Sequence, residues 1–528
     1  MKRIKTSWLT RLVNPGRSVF GLSKVARGTC KMGYMIPVFC RDLLPGDRVS
    51  LQIKDLIRFM PMIAPPMHQV KAYFDWFFVP NRLVWPNWEN FRTGGEDGKD
   101  ASVVPYVTSG ASGWSTSSLF DYLCCPTGVA NLKMSALPLR CHNLIYNFYV
   151  RDENVRDELP VPKTDGLDTT QYALYRRNWP RDYFTAALPS SQRGDMTYLP
   201  LATEAPVIGT GKTLGLTNGA QELGFARYSS DTHSGQLFQP GLVDYPVGPA
   251  SGVSPSSASG VFGLSQNSAH SGVKADLTQA SAASVDSVRT AFQVQLIKQL
   301  MMRAGYRYRE FMYAFFGEDG GDARLQWPEY IGSSVSDVLF SEVLQTSESA
   351  TTPQANMAGH GISADTSRPL HYKSKEDGWL FCYMTIMPKA SYQQGLPRQY
   401  QRYSRYDYYN PLLAHLGEDM ILNSEIYAQG TDADSQGWAY QAVYEDYRRS
   451  FDSSHGDIRT TAAQWAFDRK FSALPQFNGE FQECVPSTAP FADQDANSDQ
   501  IVYMVQSVVN ALRPIPRIGE PGYMDHYF

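Results

Sequence analysis

No run of apolar residues approaches the roughly 18 that a membrane-spanning helix requires, and the charged N-terminus lacks the apolar stretch of a signal peptide. The expectation is a soluble protein made inside a cell. Cysteine is scarce: Cys30, Cys40, Cys124, Cys125, Cys141, Cys382 and Cys484 are the seven in 528 residues, with no CxxC pair and no Cys/His zinc spacing. An odd, scattered set argues against a disulfide scaffold and for reduced, mostly buried thiols. The nine histidines fall at no metal-ligand spacing, and neither HExxH nor GxSxG occurs. Nothing in the chain resembles an organised nucleophile, base and oxyanion hole, so an enzyme is not expected, and no cofactor or metal is implied. Pro206–Thr213 (PVIGTGKT) imitates the tail of a phosphate-binding loop, but Pro206 stands where glycine is required and turn-rich sequence follows where a helix should begin. Arg193-Gly194-Asp195 spells an adhesion tripeptide too short to assign a role.

What the chain has in quantity is aromatic and turn-forming residues: 13% aromatics, with 31 Tyr and 26 Phe, punctuated by 41 Gly and 33 Pro. That mixture favours short strands joined by elaborate loops, and abundant tyrosine suits large protein–protein contacts. Tyr34–Cys40 is apolar, Pro45-Gly46-Asp47 marks a turn, and Val49, Leu51 and Ile53 alternate with Ser50 and Gln52 in the period of a half-buried strand. From Val70 to Val79 the pattern puts Val70, Ala72, Phe74, Trp76 and Phe78 on one face. Trp379–Met387 and Gln500–Val508 read as strands buried on both sides, or nearly so. Strand candidates near both ends imply pairing across hundreds of residues.

Charge is nearly balanced overall at −4, yet unevenly placed. Nine basic residues and no acid precede Asp42, leaving 39 basic against 52 acidic residues afterwards, or −13. A basic N-terminal arm (1–41) on an acidic body is a recurrent arrangement for gripping nucleic acid; a solvated tail is the alternative. In the middle of the chain, Ser, Gly and Ala make up 21 of the 36 residues from Pro249 to Ser284, too little apolar content for a core. Ser284 is a plausible N-cap for a helix in which Val285, Val288, Phe292, Leu296 and Leu300 form one apolar stripe, and a second short helix would run through Phe311, Met312 and Phe315 to Gly317. Both read as packing elements.

Five ordered segments carry a family resemblance: Phe78–Trp85 (FVPNRLVW) with Trp88; Ala187–Ser190 with Gln192 and Gly194; Tyr308–Phe311, Phe316-Gly317, Asp322–Gln326 and Pro328–Gly332; Tyr392–Arg398 (YQQGLPR) with Arg405-Tyr406-Asp407; and Leu416-Gly417-Glu418, Asn423, Glu425–Ala428 and Gly430. Together they resemble the major capsid proteins of microviruses, single-stranded-DNA bacteriophages, nearest the gokushovirus-like branch. Trp327, where many relatives have Arg, and the partial match at Phe20–Ser23 depart from the pattern.

The resemblance implies a mainly β chain built on an eight-stranded antiparallel viral jelly roll, with long loop insertions containing short helices. It implies a structural protein that self-assembles into a small icosahedral virion shell around circular single-stranded DNA and is synthesised in the host cytoplasm. Further partners would be an internal scaffolding protein, a small basic DNA-binding protein, a pilot protein and, at the surface, a host receptor. A lectin-like or carbohydrate-active β-sandwich is the alternative. Eight strands of about six residues fill only about fifty positions, so most of the body, 42–528, must lie in excursions from the barrel. Residues 203–283 sit where gokushovirus-like relatives carry a surface protrusion.

Two sets of candidate residues follow. Lys2, Arg3, Lys5, Arg11 and Arg17 are expected to meet DNA phosphates, with Trp8 and Phe20 available to stack on bases. In Gly395–Tyr409 (GLPRQYQRYSRYDYY), Arg398, Tyr400, Arg402, Tyr403, Arg405 and Tyr406 are expected to form a subunit interface, because Tyr and Arg dominate interface hot spots. Packing within the subunit and a DNA-stacking surface are the alternatives.

Overall fold

The computed structural model describes residues 16–96, 99–194, 207–209, 215–217, 222–225, 237–238, 263–264, 273–275, 285–304, 314, 326–344, 357–495 and 497–517. Ten strands form one antiparallel sheet: β1 (Ser18–Gly21), β2 (Lys24–Cys30), β3 (Ile36–Leu43), β4 (Arg48–Phe59), β5 (Val70–Pro80), β6 (Glu329–Leu344), β7 (Met357–Thr366), β8 (Leu370–Lys373), β9 (Gly378–Pro388) and β10 (Ile501–Arg513). The order is β1-β10-β4-β7-β6-β5-β9-β3, with β2 also pairing β10 and β8 also pairing β4. β6 serves both halves of the sheet. Its first part, Glu329–Val338, pairs β5, and its second, Leu339–Leu344, pairs β7.

The sheet therefore curls on itself, and the two halves bury their inner faces against each other. Leu51, Ile53 and Ile57 of β4 and Val505 and Val509 of β10 share one core with Phe74 and Trp76 of β5, Leu380 and Met384 of β9, and Ile36 and Val38 of β3. Each fully buried Phe or Leu here contributes about 1.5–3 kcal/mol. This is the mainly β, jelly-roll-like fold expected. Strand lengths differ from expectation: β4, β6 and β10 run to 12, 16 and 13 residues. A curled sheet keeps long strands paired along their length, so they exceed the average of about six residues.

The expected face of β5 lies in this core, from Val70 to Phe78. Its other face is covered too. Phe77 and Val79, with Phe381 and Tyr383 of β9, pack on Cys141, Ile145 and Tyr146 of helix α1 (Leu137–Tyr149). Trp379–Met387 is thus buried on both sides, as its run of apolar residues, interrupted only by Thr385, implies. Gln500–Val508 is not. β10 alternates, with Val502 and Met504 exposed at 43% and 39%, because no helix crosses that half of the sheet among the described residues.

Within the segment read as an arm, Ser18–Gly21 and Lys24–Cys30 are strands paired to β10. The long excursions lie between β5 and β6 and between β9 and β10. Residues Gly194–Lys298 form a compact unit distinct from Met1–Arg193 and Gln299–Phe528. Its short strands pair as Leu237–Phe238, Glu222–Phe225, Gly215–Thr217 and Gly263–Leu264 in one group and Val207–Gly209 with Val273–Ala275 in another. Helix α2 (Val285–Ala304) starts where Ser284 was expected to cap it. Its apolar stripe does not have the cover expected of a packing element: Phe292, Leu296 and Leu300 are exposed. The second short helix falls outside the described residues apart from Ala314.

Candidate assembly interface

After β9 the chain passes through Ser391-Tyr392 and enters the arginine- and tyrosine-rich loop. Gly395 presses so closely on the short helix Asn423–Ile426 that a Cβ would stand 1.7 Å from the Glu425 carbonyl oxygen. The next residue is tied there as well, Leu396 N–H donating to the Ser424 carbonyl at 2.8 Å. Pro397 then starts one 3₁₀ turn, Arg398–Tyr400.

The arginines of this loop divide by direction. Arg398 points inward, donating to Glu425 and Asp419 at 3.0 Å each and to the Met420 carbonyl at 3.2 Å. Glu425 is almost fully buried, and burial pushes its carboxyl up from the ordinary value although Leu422 N–H, Tyr183 Oη–H and Arg398 all donate to it. Arg402 is also turned in, paired with Asp446 and lying 4.3 Å from the Tyr447 ring centroid. Arg405 stays at the surface, 4.7 Å from the Tyr406 ring and bonded to its hydroxyl.

The tyrosines point the other way. Tyr400, Tyr403 and Tyr406 are 63%, 85% and 59% exposed, and Tyr408, Tyr409, Leu412 and Leu416 extend the same loop with exposed apolar surface. The backbone beneath is held firmly. Asp407 accepts from the N–H groups of Tyr403 and Ser404 at 2.9 and 2.7 Å, which hold its carboxyl below the ordinary value. The Tyr444 hydroxyl accepts from Asn410 N–H and donates to the Tyr408 carbonyl. A fixed loop presenting exposed tyrosine rings loses little conformational entropy on contact, which is what an interface anchor requires.

Of the six expected interface residues, Arg398 and Arg402 therefore bind within the subunit, while Tyr400, Tyr403, Arg405 and Tyr406 face outward. Sequence reasoning missed Leu412 and Leu416, because an apolar run such as Leu412-Leu413-Ala414 is normally read as core. Of the expected DNA contacts, Lys2, Arg3, Lys5 and Arg11 lie outside the described residues, as does Trp8. Arg17 is exposed and donates to the Gly46 carbonyl at 3.0 Å. Phe20 is half-buried, opposite Ala511.

Burial pushes up the thiols of Cys30, Cys141, Cys382 and Cys484, and all seven cysteines are free. Among the described residues, no helix is long and apolar enough to cross a membrane, and no group of His, Cys, Asp and Glu is placed to hold a metal ion.

A protein-family profile described as capsid protein (F protein) matches residues 12–523. The chain is 32% identical to capsid protein VP1 of Bdellovibrio phage phiMH2K, over 89% of this chain and 88% of that protein. It is 33% identical to capsid protein VP1 of Chlamydia phage 1, over 96% and 95%, and 27% identical to capsid protein VP1 of Spiroplasma virus 4, over 93% and 92%.

Proposed function

Because the chain belongs to the phage capsid protein (F protein) family and is thus a structural capsid protein, we propose that copies of it close into a simple icosahedral shell around circular single-stranded DNA, joined through the tyrosine face of residues 395–416. One observation carries the interface: Arg398 and Arg402 are spent on carboxylates of their own subunit, while Tyr400, Tyr403 and Leu412 stand exposed on a loop those ion pairs hold still. Family membership sets aside the lectin-like alternative, and no catalytic role is proposed.

The test uses the triple variant Tyr400→Ala, Tyr403→Ala, Leu412→Ala. Exposed positions away from special features change subunit stability by about 0.5 kcal/mol or less, so the subunit should stay folded while shells seen by negative stain disappear. Shells at normal yield would reject this interface. Arg402→Ala serves as the contrast. It strands Asp446 and should destabilise the subunit itself by about 1–3 kcal/mol, which denaturant unfolding of the unassembled subunit reads directly.

The remaining partners rest on resemblance. An internal scaffolding protein, a small basic DNA-binding protein and a pilot protein would complete the particle in the host cytoplasm. The basic residues Lys2, Arg3, Lys5 and Arg11 would lie inside against the genome; protease access to them in full particles would overturn that. Residues 203–283 would form the outer protrusion that meets a host receptor. Shortening 249–271 should then lower adsorption and leave assembly intact, whereas loss of assembly would make the segment a shell contact.

A further inference from the structure

The half of the sheet that no helix covers among the described residues has an unusual outer face. Strand register sorts its side chains into rows about 7 Å apart. From one end they read Thr29, Val502, Arg58, Ile362 and Leu339; then Arg27, Met504, Leu56 and Ala364; then Val25, Gln506, Lys54 and Thr366; then Val508 and Gln52; then Gly21, Asn510, Ser50 and His371; and last Val19, Leu512, Arg48 and Lys373. No carboxylate stands in any row. Asp365 and Asp55 sit opposite each other on the inner face, and Asp499 enters at the rim, where it accepts from Thr29.

Arg27, Arg48, Lys54, Arg58 and Lys373 are all exposed, and among the described residues none makes an ion pair. Elsewhere arginines are routinely paired, as Arg82 with Glu376, Arg140 with Asp168, Arg177 with Asp75 and Arg513 with Asp47. Arg48 and Lys373 stand directly opposite on adjacent strands, an arrangement of like charges that destabilises a sheet. They also line an open depression of about 440 Å³ with Val19, Ser50, His371 and Asn510. Five cations on one face with no acidic partner among the described residues, in a chain whose residues after 41 carry an excess of 13 acids, call for an anionic ligand.

We propose that this face binds single-stranded nucleic acid, with Arg27, Arg48, Lys54, Arg58 and Lys373 contacting phosphates and Val25, Leu56, Val502 and Met504 packing on sugars and base edges. It rests on the reading of the chain as a genome-enclosing shell and adds to it a second contact surface, separate from the N-terminal arm. An acidic protein would also satisfy the charges, but the cations stand in four of the six rows, from the first to the last, rather than gathered into one pocket, as an extended phosphate backbone requires. These rows hold no Phe, Tyr or Trp for stacking, so binding should be indifferent to base sequence.

The experiment measures binding of a labelled oligo-dT to the full chain as salt is varied, against the variant R27Q/R48Q/K54Q/R58Q/K373Q. All five side chains point away from the core, and thermal unfolding checks that the variant is folded. If all five meet phosphates, the log-affinity of the unaltered chain falls with log salt more steeply than the variant's by about 3.5. R48Q/K373Q alone should recover about 1.4 of that difference. Equal slopes for the unaltered and five-fold variant chains would overturn the proposal, as would poly-glutamate displacing oligo-dT at equal charge concentration. Shell assembly is scored separately. Shells that form and hold their normal DNA in the five-fold variant would overturn this face while leaving the shell reading intact. Failure of the unaltered chain to form shells would strike the shell reading, while the salt slopes would still judge the face.

Discussion

His142 lies buried with Nδ1 3.0 Å from the Tyr383 hydroxyl and Nε2 3.2 Å from the Ala173 carbonyl. A carbonyl only accepts, so Nε2 carries the proton and Nδ1 accepts from Tyr383. The pair joins helix α1 to the outer face of β9, where the helix covers the sheet. Burial pushes the imidazole pKa down to about 4, from 6.5.

The unfolded chain thus binds a proton at His142 that the folded chain refuses, and stability falls as pH drops from about 6.5 toward 4. The contribution amounts to about 3 kcal/mol once pH reaches the folded value. His142→Gln keeps one donor and one acceptor. Denaturant unfolding of the subunit between pH 7 and pH 4 should show a shallower decline in the variant, by about that amount; parallel declines would show that His142 is not the group responsible.

Asp168 accepts from Arg140 Nε at 2.8 Å and from the Tyr172 hydroxyl at 2.9 Å, and both members of the ion pair are buried. Burial pushes the Asp168 carboxyl up, but hydrogen bonds from Thr170, Arg140 and Tyr172 outweigh it and hold the group below its ordinary value. Asp168→Ala leaves the guanidinium buried with only the Val84 and Thr164 carbonyls as acceptors. The expected cost is about 3–5 kcal/mol, measured as a lower midpoint in urea. A change below about 1 kcal/mol would mean that water reaches Arg140 and restores its solvation.

Gly395→Ala tests whether the tyrosine loop depends on its seat. The added Cβ would meet the Glu425 carbonyl oxygen at 1.7 Å, and one backbone or the other must move. Overpacking of this kind costs about 1–3 kcal/mol, and it should also release the Arg398 pairs with Glu425 and Asp419. Both unfolding and shell yield should suffer. A variant with native stability and full shell yield would show that the 395–409 loop shifts without consequence.

Much of the barrel was legible because burial on a pleated strand leaves a period of two. Val70 to Phe78 and Val49 to Ile53 declared their inner faces, and Trp379–Met387 declared burial on both sides. The same reasoning failed at β10. Val502 and Met504 are apolar and exposed, and alternation cannot tell a face that meets another molecule from one that meets a helix of its own chain. The aromatic and arginine content of 395–409 marked the right loop, but composition does not say which way a side chain points. Arg398 and Arg402 turn inward because Glu425, Asp419 and Asp446 arrive from residues up to 44 positions away.

By itself the sequence determined the β-rich class, the split between a basic start and an acidic body, and the ordered motifs that place the chain in its family. All of these are properties of residue type and local spacing. The tertiary structure alone decided which strands lie side by side, and with them the carboxylate-free face. Arg27, Arg48, Lys54, Arg58 and Lys373 are scattered over some 350 residues of chain. They come together because β10 crosses the whole sequence to pair with β2 and β4, while β8 lies on β4 from the other side. Their unbalanced charge is a property of strand register, which no local stretch of sequence contains.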